Sequence, residues 1–524
     1  MAAKPDMVPE VEMADAKGVF SPAHDDVSVS ILARPPAVSF ASSAACVGKT
    51  WNQSCNKNFS RPQFSSALSL NPDLHAALDE VLADAFSKPL RPDFIVAYIG
   101  INFSLEETHH LITEKVGPGI PVITNKAKGL IGTDVQTDKL REVIWGSTDG
   151  DSEWNENNSN RGIVLSVGYM PGLKVDVIPL LRPKNEQQLT MVDHFLMEIM
   201  DFTCAASGSL SPSCIIMFGD KNEDMNPILT ILDQVMPDET AIVGDASAAF
   251  LCTRMDEAEN YNKDVFSFAA AALVFARDQY KPEDIGETEF HVTVSSGIIP
   301  FGPYFKTVSV LEKHCLCSWV SAIMLGFESV IIDCYDVLME LKSQIKKPDM
   351  YIGVTQRRNY SILEKPPSSI RSLSFHEVKD GEGDFILVDG IGIKPGDIFF
   401  FYHADAENAL ITIDQARRKL KTLREDYEKN GREVFGGFIF SCENRGVSFF
   451  KSPGVDSKPF AMNFPGVPVA GMFGNGGEIG RGALLGVKKN LRRNGPRSCV
   501  HAYSSVYLAM SYVPPPEAPM IIDE

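Results

Sequence analysis

The sequence predicts a mixed α+β and α/β protein, with a small helical module first and two related mixed-sheet halves with covering helices after it. Three observations carry this reading. A pattern of apolar run, helical stripe, second apolar run and small-residue loop occurs three times after Pro92. Before residue 62 that pattern is missing, and apolar residues recur instead at helical spacing. The chain has 524 residues, 44% hydrophobic and 22% charged, which is ordinary for folded protein and enough, at about 150 residues per domain, for three or four domains.

Residues 1–23 are polar and aperiodic and read as a loose tail. From Asp25 to Pro62, Phe40, Ala44, Val47, Trp51 and Cys55 fall on one helical face, and Pro35-Pro36 interrupts the helix that holds Ile31 and Leu32. Residues 63–90 read as a helical linker, with a helix from Asn71-Pro72 to Phe86 that Asn71 caps. Phe94–Ile99 is then a strand. Ser104 and Glu107 offer a capping box for a helix whose face is Leu105, Thr108, Leu111, Ile112 and Val116, and Pro121-Val122-Ile123 is the returning strand, followed by Gly129 and Gly132. The second unit runs from Cys214–Phe218 through a helix begun by Asn226-Pro227, striped by Ile228, Ile231, Leu232 and Val235, to Ala241–Gly244 and the loop Asp245-Ala246-Ser247-Ala248. The third joins Phe438–Phe440 to Pro468–Gly471. A helix over Asp414–Lys429, apolar at Ala416, Leu420, Leu423 and Tyr427, would cover a sheet. Ser152–Gly162 reads as a polar insertion and Lys342–Arg371 as a long basic loop. Domain boundaries are expected near 90 and 300, and residues 516–524 as a tail.

Lys plus Arg number 49 against 68 Asp plus Glu, a formal charge of −19, which argues against non-specific binding to nucleic acid. No apolar stretch reaches the length of about 20 residues that a membrane span needs, and residues 1–30 have the acids Asp6, Glu10, Glu12, Asp15, Asp25 and Asp26 rather than a secretory or organelle leader. The ten cysteines are scattered without a CxxC pair. His314-Cys315-Leu316-Cys317 has no second pair to complete a zinc site, so neither a metal nor a disulfide framework is expected, and the chain reads as intracellular and reduced.

Four motifs invite chemistry. Gly48-Lys49-Thr50 lacks the glycine five positions earlier, and the preceding strand, that a phosphate loop needs. Cys442, in Cys442-Glu443-Asn444-Arg445-Gly446, would be a nucleophile if Arg445 or a histidine lowered its pKa; otherwise it is a half-buried strand end with Arg445 paired to a carboxylate. The glycines of Gly474–Gly480 would let backbone N–H groups converge on an anion or small polar ligand, with Asn475 and Glu478 adding side chains, Glu478 being suited to an amine; a tight turn between strands is the other reading. Lys488-Lys489 and Arg492-Arg493 suit a nuclear import signal, a phosphate contact or a solvated loop. No catalytic constellation is assembled from these, and no cofactor is expected.

The stretches Gly437–Gly446 and Pro468–Gly480, with the aromatic strand Tyr503–Tyr512, resemble the C-terminal domain of the FIST family through an FxC-x-x-RG segment and a GNG-EIG loop. Residues 91–300, through Val243-Gly244-Asp245-Ala246-Ser247 and Pro300-Phe301-Gly302-Pro303, resemble its N-terminal companion, which leaves 301–515 as the C-terminal domain. Residues 24–62 resemble a divergent F-box at Ile31-Leu32-Ala33-Arg34 and Val47-Gly48-Lys49-Thr50-Trp51-Asn52.

The combination is similar to FIST-containing F-box proteins of animals and plants. It implies a non-catalytic substrate receptor of a Skp–cullin–F-box (SCF) ubiquitin ligase, cytoplasmic or nuclear, that directs a target to proteasomal degradation. Ile31, Leu32, Val38, Val47 and Trp51 would dock on the Skp linker protein, and through it on the cullin. The FIST region would recognise the target, and a small ligand such as an amino acid, through Cys442, Asn444, Arg445, Gly474, Asn475, Gly476 and Glu478. Against the F-box pattern, Gly48 stands before Lys49, and against the FIST pattern Gly477 lengthens the glycine loop. Glycine costs about 1 kcal/mol in a helix relative to alanine. The alternative is a small-ligand sensor in signal transduction whose F-box no longer binds Skp. A Cys442-dependent enzyme is a third reading.

Overall fold

The three sequence units become three parallel strand pairs. Phe94–Gly100 lies beside Val122–Ala127, Cys214–Gly219 beside Ala241–Asp245, and Glu433–Cys442 beside Val469–Gly474. Parallel neighbours require a crossover. It is supplied by the helix Leu105–Val116 in the first pair, by Asn226–Val235 in the second, and by the short helices Val447–Phe450 and Lys458–Asn463 in the third. The computed structural model describes residues 60–87, 92–145, 160–182, 188–255, 268–313, 317–326, 333–344, 349–360, 368–481 and 498–515, all within one compact unit. The expected tails at 1–23 and 516–524, the helical segment up to Phe59, and the basic runs at 488–493 lie outside these residues, as do residues 152–159 of the polar insertion at 152–162.

Two mixed sheets stack face to face. Among the described residues, the larger has eleven strands and the smaller six. The reason is legible along Cys214–Gly219, where successive side chains alternate between faces. Cys214, Ile216 and Phe218 enter the core between the sheets, while Ile215 and Met217 pack outward under the helices Gln188–Ser207 and Asn226–Val235. Phe218 meets Phe440 of the large sheet edge-on, with ring centroids 6.5 Å apart. The outer face of the large sheet is covered by the long helix Ala406–Asn430, which buries Ala416, Leu420 and Leu423 near Ile439 and Tyr507.

The sheets interleave the two expected halves. Gly129–Asp134 pairs with Val469–Gly474, Glu287–Ser296 with Ser504–Val513, and Ala241–Asp245 with Glu478–Arg481. Residues 63–90 are more than a helical linker, because Gln63–Ser69 is a strand inside the large sheet, between Ile163–Tyr169 and Gly129–Asp134. The following helix starts at Leu74 and is capped by Asp73, whose carboxylate accepts from the Ala76 N–H at 2.8 Å. Asn71, the expected cap, instead accepts from the Asp73 N–H and donates to Glu80. Ser104 caps the next helix as expected, its hydroxyl accepting from the Glu107 N–H.

The segment Lys342–Arg371 departs from its reading as a loop: Met350–Tyr360 and the start of Ser368–Glu382 are strands. With Ile298–Lys313, Cys317–Met324, Phe385–Asp389 and Ile398–Ala404 they close a six-stranded barrel around Phe305, Val320, Val354, Ile386 and Phe399. No helix among the described residues is long and apolar enough to cross a membrane.

Candidate functional site

The C-terminal ends of the parallel strands bring several of the sequence-predicted residues to one place. Cys442 ends its strand directly beside Gly474, and Glu478 opens the next strand in register with Asp245. The expected glycine loop Gly474–Gly480 is therefore mostly sheet. Only Asn475–Gly477 turns, and of its glycines only Gly476 has a left-handed φ, 78°. The Gly477 carbonyl accepts from the Ala246 N–H, and the Asn475 N–H donates to the Ser247 hydroxyl at 2.9 Å. The turn is thus tied to the Asp245–Ser247 corner.

The candidates separate by depth. Asn444 and Asn475 are exposed and Gly476 is half-buried, whereas Cys442, Arg445, Gly474 and Glu478 lie in the interior. Glu478 is fully buried. One carboxyl oxygen, Oε2, accepts from the Ser504 hydroxyl at 2.9 Å, and Oε1 has no partner among the protein groups. Burial first, and then the charge of Asp245, push its carboxyl well above the usual carboxylate range, so its neutral form is favoured. Asp245 is also buried; it accepts from the Ser247 N–H and hydroxyl, and burial raises its pKa to about 6. The Tyr98 hydroxyl, buried within the electrostatic reach of Asp245, has no protein partner either.

Arg445 answers to the reading of a residue paired with a carboxylate. Nη2 lies 2.7 Å and Nε 3.0 Å from the two Asp456 oxygens, Nη1 donates to the Tyr503 carbonyl, and Nη2 also donates to Ser295. The guanidinium sits 5.1 Å from the Phe450 ring centroid. The cation holds the loop, and its lowering effect on the nearby Cys442 thiol is outweighed. Burial and the nearby Glu478 push the Cys442 thiol well up, which keeps it protonated and opposes a nucleophilic role.

Sequence reasoning missed Tyr98, Ser504, Ser295 and Asp456 as members of this cluster, since they come from remote strands and loops. Asp245-Ala246-Ser247 did carry a signal: a carboxylate two residues before a serine at a strand end suits a side-chain turn. Ile31, Leu32, Val38, Val47 and Trp51 lie outside the described residues. Among the described residues, no group of three or more His, Cys, Asp or Glu could hold a metal ion.

No family model matches the chain. It is similar to a protein of Arabidopsis thaliana named as an F-box/LRR-repeat protein, with 37% identity over 514 residues that cover 96% of this chain and 95% of that one. The described residues here build two mixed sheets and a barrel, not a stacked solenoid of leucine-rich repeats.

Proposed function

Since the chain belongs to the family of that F-box/LRR-repeat protein, we propose that it is a substrate-recognition adaptor of an SCF ubiquitin ligase. The kinship along nearly the whole chain supports this reading, together with the resemblance of Ile31–Arg34 and Val47–Asn52 to an F-box, which implies Skp docking through Ile31, Leu32, Val38, Val47 and Trp51. In it, residues 24–62 dock on the Skp linker, and the FIST-like region of 91–300 and 301–515 holds the target. Such an adaptor makes and breaks no bonds. It raises the effective concentration of target lysines near the charged ubiquitin-conjugating enzyme. Cytoplasm and nucleus are the compartments that suit it.

Capture of the purified chain by recombinant Skp linker, beside a Trp51→Ala variant, tests the proposal. Binding at micromolar concentration that Trp51→Ala weakens by tenfold or more supports it, and absence of binding by the unmodified chain refutes it.

One observation favours a second reading, a small-ligand sensor. Glu478 Oε1 and the Tyr98 hydroxyl are buried polar atoms without protein partners, and such groups normally find a water or a ligand. The twenty standard amino acids, at millimolar concentration, would then raise the melting temperature selectively. Glu478→Gln would abolish the selective rise; equal, null effects of all twenty would end this reading.

A further inference from the structure

The helix Ala406–Asn430 has two working faces. One buries Ala409, Ala416, Leu420 and Leu423. The other aligns Leu410, Ile413, Asp414 and Arg417 at positions i, i+3, i+4 and i+7, one stripe of a helix. This stripe forms one wall of a groove of about 300 Å³, and Phe450, Val455, Pro459 and Met462 form the other. That volume is at the lower end of the ~300–1,000 Å³ typical of ligand pockets. Leu410 is 47% and Met462 60% exposed. Scattered apolar exposure is common, but apolar side chains gathered in a concave surface mark an interaction site.

The rim chooses the partner. Arg417 and Arg418 share the single carboxylate of Asp414, at 2.6 and 2.7 Å. Lys458 lines the groove, and exposed Lys451 lies between the lining residues Phe450 and Ser452. The groove is thus lined by two cations, Arg417 and Lys458, and one carboxylate, Asp414, which Arg418 also binds, on a chain whose formal charge is −19. The far wall is held in shape from behind: Arg445 packs against the Phe450 ring and binds Asp456, next to Val455. A wall fixed in advance lowers the ordering cost of binding.

We infer that this groove docks a segment of the degradation target that inserts an aliphatic or aromatic side chain and flanks it with acidic residues. The inference rests on the adaptor reading for its biological sense and on the groove for its chemistry. Apolar burial supplies the anchor, and the cations at the rim supply orientation and selectivity against basic segments.

Display of random heptapeptides against the full-length chain tests it. Enrichment of peptides with a central Leu, Ile, Met or Phe and neighbouring Asp or Glu is expected. A labelled peptide from that set should bind Met462→Glu at least about tenfold more weakly. The pair Arg418→Glu and Lys458→Glu should shift the selected flanks from acidic to basic. Both surfaces are exposed, so either protein serves as a check on the other's folding. Selected peptides without acidic residues, or affinities unchanged in both variants, overturn the inference. So does a dimer that Met462→Glu dissolves, since a second copy would then own the groove. Skp capture on the same samples separates the two claims. Failed capture with selection intact faults the adaptor reading alone, and failed selection with capture intact faults the groove alone.

Discussion

Arg445 and Asp456 form a two-point ion pair with both side chains shut away from water, and their contacts reach two further elements. The guanidinium also donates to the Tyr503 carbonyl and to Ser295, so one side chain joins the end of the Glu433–Cys442 strand, the loop before Lys458–Asn463, and two neighbouring strand ends. Breaking such a pair from one side strands a buried charge.

Arg445→Met should therefore lower stability by about 3–5 kcal/mol, while the double change Arg445→Met with Asp456→Leu should cost clearly less. Urea unfolding followed by tryptophan fluorescence would measure both. Equal losses for the single and double variants would show that the charges are not what holds the loop.

Asp245 gives a pH prediction. Burial raises its folded pKa to about 6, above its usual value, so between the two the folded protein binds more protons than the unfolded chain. This contribution is present in full below the ordinary carboxylate pKa and is lost as pH rises through about 6. Asp245→Asn keeps an acceptor for Ser247 but has no charge to bury. Its melting temperature should exceed that of the unmodified protein at pH 8, by an amount worth about 2–3 kcal/mol, and the difference should vanish near pH 4. A constant difference across that range would refute the assignment.

Cysteine accessibility offers a third check. Cys204 is exposed, and Cys442 is buried with its thiol held protonated. Maleimide should label Cys204 within minutes in the native protein and reach Cys442 only after unfolding, as read by peptide mass mapping. Fast native labelling of Cys442 would restore it as a candidate nucleophile.

Two glycines should respond very differently to alanine. A Cβ at Gly244 would fall 1.9 Å from the Met217 carbonyl oxygen, backbone that cannot yield, and Gly244→Ala should cost about 3 kcal/mol or more. Gly476 faces open space, and only its left-handed φ resists substitution, so Gly476→Ala should cost about 1 kcal/mol. Paired chemical denaturation curves would compare them.

The parallel pairs were legible because local pattern suffices for them. Cys214–Phe218, the stripe beginning at Ile228, and Ala241–Gly244 each announce their own structure, and a crossover connection follows. The barrel was not legible, because its strands have wet faces. Leu311 and Tyr304 are exposed, and Arg357, Arg358 and Lys379 interrupt the apolar rhythm, so the reading of 342–371 settled on its prolines and basic residues. Within the site, Cys442 and Glu478 could be singled out from residue type and glycine context. Tyr98 and Ser504 could not, since only sheet pairing brings them to Glu478 and Asp245. Asn71 lost the cap to Asp73 because its side-chain oxygen accepts from the Asp73 N–H, which leaves Asp73 to accept from Ala76.

The strand Ser504–Val513 lies between Glu433–Cys442 and Glu287–Ser296, and it is the last of the large sheet's strands to leave the ribosome. At about 5–20 residues per second, synthesis from Ser296 to Ser504 takes some ten to forty seconds. Throughout that interval, Glu287–Ser296 waits without the neighbour that completes its hydrogen bonds, and an unpaired edge invites pairing with other chains. Until Ser504–Val513 emerges, nascent chains expose this edge to mispairing, and prematurely terminated ones cannot close the sheet at all.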